Sequence, residues 1–176
     1  GKLYGYNTDF LGLKALLIEN EIEIKGKKVL ILGSGGTSDT ALAVASDLGA
    51  LGILRVSRSS RDGFITYSEA QSDYSDAEII INATPCGMYP NTDQTPIDIS
   101  AFKNLVAVCD VIYNPLCSKL VVEAKRRGIK AVGGLYMLVA QAAFAGEKFC
   151  GTTVPQKKID GVYKELLKEK ENIVLI

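Results

Sequence analysis

The chain has 176 residues, in which twenty Lys and Arg balance twenty Asp and Glu and 47% of positions are aliphatic, aromatic or Cys. That length and apolar content suit one sizeable core and argue against disorder, the even charge offers no broad positive field to nucleic acid or an anionic membrane, and no apolar run nears the roughly 20 residues needed to cross a bilayer. Histidine is absent, so any proton transfer falls to Lys, Asp, Glu or Tyr, and no metal site is expected.

The chain opens at Gly1 in a polar, turn-like phrase without Met and reads as a piece of something longer. After the loop Gly5-Tyr6-Asn7-Thr8-Asp9, the apolar spacing of Leu13, Leu16 and Leu17 predicts a helix over Leu11 to Ile18, with Asp9 at or near its N-terminus, where it can serve as a cap. Val29 to Leu32 is a short apolar run of the kind expected for a strand covered on both faces, and a helix over Ala41 to Leu48 stops at Gly49. Further strand-like runs lie at Gly52 to Val56, Glu78 to Ile81, Leu105 to Val111 and Ile129 to Val132, with a helix over Leu120 to Arg127. This alternation predicts an α/β fold: a doubly wound, Rossmann-like parallel sheet with extra C-terminal helices and ligands at the carboxyl ends of its strands.

The last third is helical. Leu135, Leu138, Val139, Ala142 and Ala143 share one face of a helix and Met137, Gln141 and Phe144 another; a final helix carries Ile159, Val162, Tyr163, Leu166 and Leu167, a stripe that needs a partner surface. We expect one domain over residues 1–176, with the helices near 1–24 and 155–170 lying between domains of a larger protein. Cys86, Cys109, Cys117 and Cys150 form no C-x-x-C pair and are expected to be buried, reduced thiols in a cytoplasmic protein.

The turn Leu32-Gly33-Ser34-Gly35-Gly36-Thr37-Ser38 joins the first strand to a helix. A pyrophosphate needs close backbone N–H groups, which Gly33, Gly35 and Gly36 permit, and the helix adds its positive end; Ser38 stands where the fingerprint has its third glycine. After the second strand comes Ser57-Arg58-Ser59-Ser60-Arg61, with no carboxylate before Asp62. Cations and hydroxyls there suit a 2′-phosphate, so NADP is favoured over NAD, with a solvated surface loop as the plain alternative for Arg58 and Arg61. Asp39, in the first helical turn, is an awkward neighbour for a dianion and has no explanation at this level.

Five phrases in order resemble the shikimate dehydrogenase family: Gly5-Tyr6-Asn7-Thr8-Asp9 with Gly12, the glycine turn, Asn82-Ala83-Thr84-Pro85-Cys86-Gly87-Met88, Asp110-Val111-Ile112-Tyr113-Asn114-Pro115, and Gly134-Leu135-Tyr136-Met137-Leu138-Val139-Ala140-Gln141-Ala142-Ala143. The resemblance implies NADPH-dependent reduction of 3-dehydroshikimate to shikimate in aromatic amino acid biosynthesis. It implies that Asp9 is one member of a catalytic pair and that Thr8, Asp9, Tyr113 and Gln141 contact substrate. Gly33, Ser34, Gly35, Gly36, Thr37, Ser57, Arg58 and Ser59 would then hold the cofactor, with Thr84, Val111, Gly134 and Met137 on its nicotinamide and ribose side. The partner lysine belongs to an N-terminal substrate domain of the family; Lys2, Lys14, Lys25, Lys27 and Lys28 match no part of its motif, so this fragment is expected to be inactive alone. Plain competitors stand beside these roles: Tyr113 as a packing residue, Gln141 as a surface residue, Met137 as core. Two other functions compete, a quinate or shikimate dehydrogenase using NAD, and a non-catalytic nucleotide-binding module that docks a partner through its last helix.

Overall fold

The structure is a computed structural model that describes residues 1–173. Its elements run α1 (Thr8–Glu19), β1 (Lys28–Leu32), α2 (Gly36–Asp47), β2 (Gly52–Ser57), β3 (Ile65–Thr66), α3 (Tyr67–Ser72), β4 (Ile79–Asn82), β5 (Ala107–Asp110), α4 (Lys119–Arg126), β6 (Lys130–Val132), α5 (Leu135–Cys150) and α6 (Gln156–Ile173), with a 3-10 turn at Ile99–Ala101 before β5. The six strands are all parallel, in the order β3-β2-β1-β4-β5-β6. The expected doubly wound sheet and its C-terminal helices are therefore present.

Alternation along each strand feeds two cores. Val29, Ile31, Ile79, Ile81 and Cys109 face a layer containing Leu13, Leu17, Val44, Tyr136 and Ala140, and so meet α1, α2 and α5. Leu30, Leu32, Ile80 and Val108 face Ala70, Phe102, Leu120 and Val121, the side of α3 and α4. Coverage of both faces is why β1, β4 and β5 read as unbroken apolar runs.

Helix ends follow local hydrogen bonding. Asn7, not Asp9, caps α1: its side-chain oxygen accepts from Phe10 N at 3.0 Å, which leaves Asp9 exposed in the first turn. Thr66 and Glu69 form a reciprocal capping box on α3, and Ser118 caps α4. The stripe of α6 finds its partner within the chain: Ile159 is buried in the core and Tyr163 packs edge-on against Tyr136 at 5.2 Å, leaving Val162 exposed.

One expectation needs correction, and one segment holds elements for which the sequence set no expectation. The segment between β2 and β4 contains β3 and α3, which are too short to show a period. Of the four free cysteines only Cys109 is buried; Cys86 is partly exposed, and Cys117, in the loop before α4, and Cys150, in the last turn of α5, lie on the surface. Burial pushes the Cys109 thiol far above its ordinary value.

Candidate functional site

β1 borders β2 on one side and β4 on the other, so chain leaving these strands at their carboxyl ends diverges and opens a crevice. Gly33 turns there with φ +114°, and its N–H donates to Val56 O at 2.9 Å. A Cβ on Gly33 would stand 3.0 Å from Ala83 O and 3.1 Å from Thr84 Cγ2, so both the φ and the close approach of the β4 loop require glycine. Gly35 is the N-cap of α2 and has open space where a Cβ would be. The 12-residue helix thus starts with no side-chain hydrogen bond at its cap, and of its first turn Ser38 N–H turns back to Gly35 O at 2.9 Å.

In front of this turn lies a cavity of about 750 Å³, lined by Gly33, Ser34, Gly35, Ser57, Arg58 and Thr84 together with Tyr67, Pro85, Cys86 and the loop through Pro96. Its size and Gly-rich wall fit a dinucleotide. Ser59 does not line it; its carbonyl instead accepts from the Ser57 hydroxyl, which holds the chain beside Arg58. Tyr67 is the residue the sequence did not flag: it belongs to the short helix α3, and burial raises its hydroxyl above the ordinary phenol value although Arg58 pulls the other way. Burial likewise raises the Cys86 thiol.

The Asp39 difficulty resolves through Arg55, an arginine inside the apolar run of β2. Its Nη2 donates to Asp39 Oδ1 at 2.6 Å and its Nε to Ser38 Oγ at 3.1 Å. Ser38 is fully buried, which gives a reason for a hydroxyl at the third fingerprint position. Arg55 also lies 4.2 Å from the centroid of the Phe64 ring, and Arg61 sits at the same distance. Arg61 Nη2 reaches the Ser34 carbonyl at 3.4 Å. The glycine turn is therefore flanked by three guanidinium groups, and the carboxylate nearest it is paired with one of them.

A second, smaller cavity of about 150 Å³ is lined by Asp9, Thr37, Val111, Tyr113, Gly134, Met137, Leu138 and Gln141. Its walls come from α1, the start of α2, the loop after β5 and α5. Gly12 sets the approach of α1 to α5, since a Cβ there would fall 2.7 Å from Met137 O and 2.8 Å from Gln141 Cβ. At that separation Thr8 Oγ1 donates to Gln141 Oε1 at 3.4 Å. Gly134 is equally constrained: a Cβ would collide with Val111 O, and the Gly134 N–H donates to Ile112 O at 2.8 Å. Met137 is buried in the core and also forms part of the cavity wall. Gly36 opens α2 behind Gly35 and lines neither cavity.

No protein-family model matches this chain. A curated protein named shikimate dehydrogenase (NADP(+)), from Clostridium perfringens (strain SM101 / Type A), is 35% identical over 94% of this chain and 65% of its own length. Among solved structures, the chorismate mutase/shikimate 5-dehydrogenase fusion protein of Clostridium acetobutylicum is 32% identical with a TM-score of 0.90, matching 95% of this chain and 64% of that one. Shikimate dehydrogenase 1 of Peptoclostridium difficile is 36% identical with a TM-score of 0.86, over 95% and 63% respectively.

Proposed function

Because this chain is a homologue of the shikimate dehydrogenases, spanning 65% of the length of the curated relative it matches, we propose that it is the NADP-binding part of such an enzyme, one that reduces 3-dehydroshikimate to shikimate. The observation that carries this reading is the small cavity, where Asp9, Tyr113 and Gln141, expected at substrate, share walls with Val111, Gly134 and Met137, expected at the nicotinamide. A hydride donor and a hydroxylated ring must meet at such a place.

In this reading Gly33, Ser34 and Gly35 hold the pyrophosphate at the start of α2. Arg58, with Ser57 beside it in the cavity wall, meets the 2′-phosphate, a charge-assisted contact that NAD lacks. When bound, NADPH supplies the hydride. The Asp9 carboxylate, exposed in the first turn of α1, is one member of the catalytic pair and accepts a hydrogen bond beside the reacting oxygen. Gln141 can both donate to and accept from ring hydroxyls, and Thr8, bonded to its Oε1, orients the amide. The lysine that would pair with Asp9 is assigned to the part of the relatives that this chain does not span, so residues 1–176 alone should bind nucleotide but turn over slowly. Quinate with NAD competes as the substrate pair; the absence of a carboxylate between Ser57 and Asp62, just after β2, favours NADP.

Calorimetric titration with NADPH and NADH tests the cofactor, and tighter NADH binding would overturn the role given to Arg58. Turnover of 3-dehydroshikimate by this chain at the rate of a complete family member would overturn the assignment of the lysine elsewhere.

A further inference from the structure

Asp110, the last residue of β5, is fully buried and lines neither cavity. Its recorded hydrogen-bond partners are uncharged: Oδ1 accepts from Asn82 Nδ2 and from Ile112 N, each at 3.0 Å, and Oδ2 accepts from Ser118 Oγ. Asn82 is paired beside it in the sheet and is itself fully buried. Because the carboxylate only accepts, the Asn82 amide has one orientation, NH₂ toward Asp110 and oxygen away. That oxygen receives both Thr84 N at 3.0 Å and Thr84 Oγ1 at 2.7 Å, and Thr84 Oγ1 in turn accepts from Cys86 N at 3.2 Å.

A one-way chain of donors thus runs from the wall of the large cavity to the buried carboxylate. Thr84 is also the residue whose methyl lies against Gly33. On the other side, the bond from Ile112 N fixes the chain just before Tyr113, and Ile112 O accepts from Gly134 N. One buried group therefore sets both loops that flank the place where the two ligands would meet.

We propose that Asp110 is a positioning residue for the nicotinamide half of the bound dinucleotide, acting through Asn82 on Thr84 and through Ile112 on the turn beside Gly134. This inference rests on the reading of the large cavity as an NADP site with Thr84 toward its nicotinamide side. The adenosine half is held elsewhere, by Arg58 and Ser57, and is indifferent to Asp110.

The test titrates the chain and its Asp110→Ala variant with NADPH and with 2′,5′-ADP, which carries the adenine and the 2′-phosphate but no nicotinamide. Removing the acceptor frees Asn82 and Thr84, so NADPH affinity should fall about tenfold while 2′,5′-ADP affinity stays as it was. Asn82→Ala breaks the same chain and should give the same differential, which covers the case of an Asp110 variant that does not fold. Ser118→Ala removes a partner that leads away from the cavities; it should lower thermal stability and leave the ratio of the two affinities unchanged. Equal loss for both ligands, or no loss in either variant, overturns the positioning role. A parent chain that binds neither ligand overturns the cavity reading itself, and this inference with it.

Discussion

The guanidinium of Arg55 on β2 closes on the carboxylate of Asp39 in the first turn of α2, Nη2 to Oδ1 at 2.6 Å. A negative charge at the head of the helix that should receive phosphates is thereby tied up, by a residue whose own strand reads as apolar. Arg55→Ala would release Asp39 and the Phe64 ring together, and dinucleotide affinity should drop about tenfold as a repelling charge returns. Asp39→Asn should leave affinity equal or slightly better, and the Tm nearly unchanged, because the Asp39 carboxylate is 66% exposed and a pair screened in this way contributes about 0–1 kcal/mol. The double variant should recover part of the Arg55→Ala loss. Titrations of the four proteins at low and high salt check this, and additive losses would contradict it.

Glycines at two positions should separate stability from binding. Gly12→Ala forces a Cβ to within 2.7 Å of Met137 O and should cost about 1–3 kcal/mol in chemical denaturation. Gly35→Ala meets nothing within 4 Å and should leave the midpoint nearly unchanged, yet weaken NADPH binding by placing a methyl where phosphate must approach. A stability loss at Gly35 equal to that at Gly12 would refute the distinction.

Arg58→Ala should weaken NADPH far more than NADH, by about tenfold or more, since a charge-assisted hydrogen bond to the 2′-phosphate is worth about 1.5–3 kcal/mol. The gap should narrow as salt is raised. Equal losses for the two nucleotides would place Arg58 at adenine alone.

Stability should depend on pH through the pairs at the other end of the sheet. Lys27 holds Glu78, and Lys28 holds Asp76, below their ordinary values of 4.5 and 3.8. Carboxylates with lowered folded values stabilise above that range, and the contribution is lost as pH falls through it. The lysines are raised above 10.5 by the same contacts, so their part is complete below that value and fades as pH climbs past it. Asp110 is raised by burial; its folded form holds a proton more tightly, which favours folding at low pH and partly offsets the acid loss. Glu78→Gln should flatten the fall of Tm on acidification and Asp110→Asn should steepen it, as melting curves across the acid range would show.

Much of the fold was legible because coverage on both faces leaves strands such as Ile79–Asn82 nothing polar to show until the residue that meets Asp110. The short elements were not: a two-residue strand and a six-residue helix contain less than two periods, although the capping box Thr66-Tyr67-Ser68-Glu69 was there to be read. At the candidate site, glycines and motif residues announced themselves by type. Tyr67 and Arg55 did not, because their importance comes from neighbours distant in sequence, Arg58 and Cys86 for the first and Asp39 for the second. Exposure of Cys117 and Cys150 was missed for a similar reason: a thiol reads as core by type, and only its place before α4 or in the last turn of α5 says otherwise.

The packing of α1 against α5 through Gly12 joins segments far apart in the chain, with a separation of 133 positions from Thr8 to Gln141. During synthesis the glycine turn and its neighbouring strands emerge early and α1 can already meet α2, where Asn7 Nδ2 donates to Thr40 Oγ1 at 3.3 Å, while the contact of Thr8 with Gln141 waits until the last third of the chain has left the ribosome. If the glycine turn holds phosphate as proposed, that half of the site completes before the small cavity does, and nucleotide present at that stage would bind and stabilise the half already made.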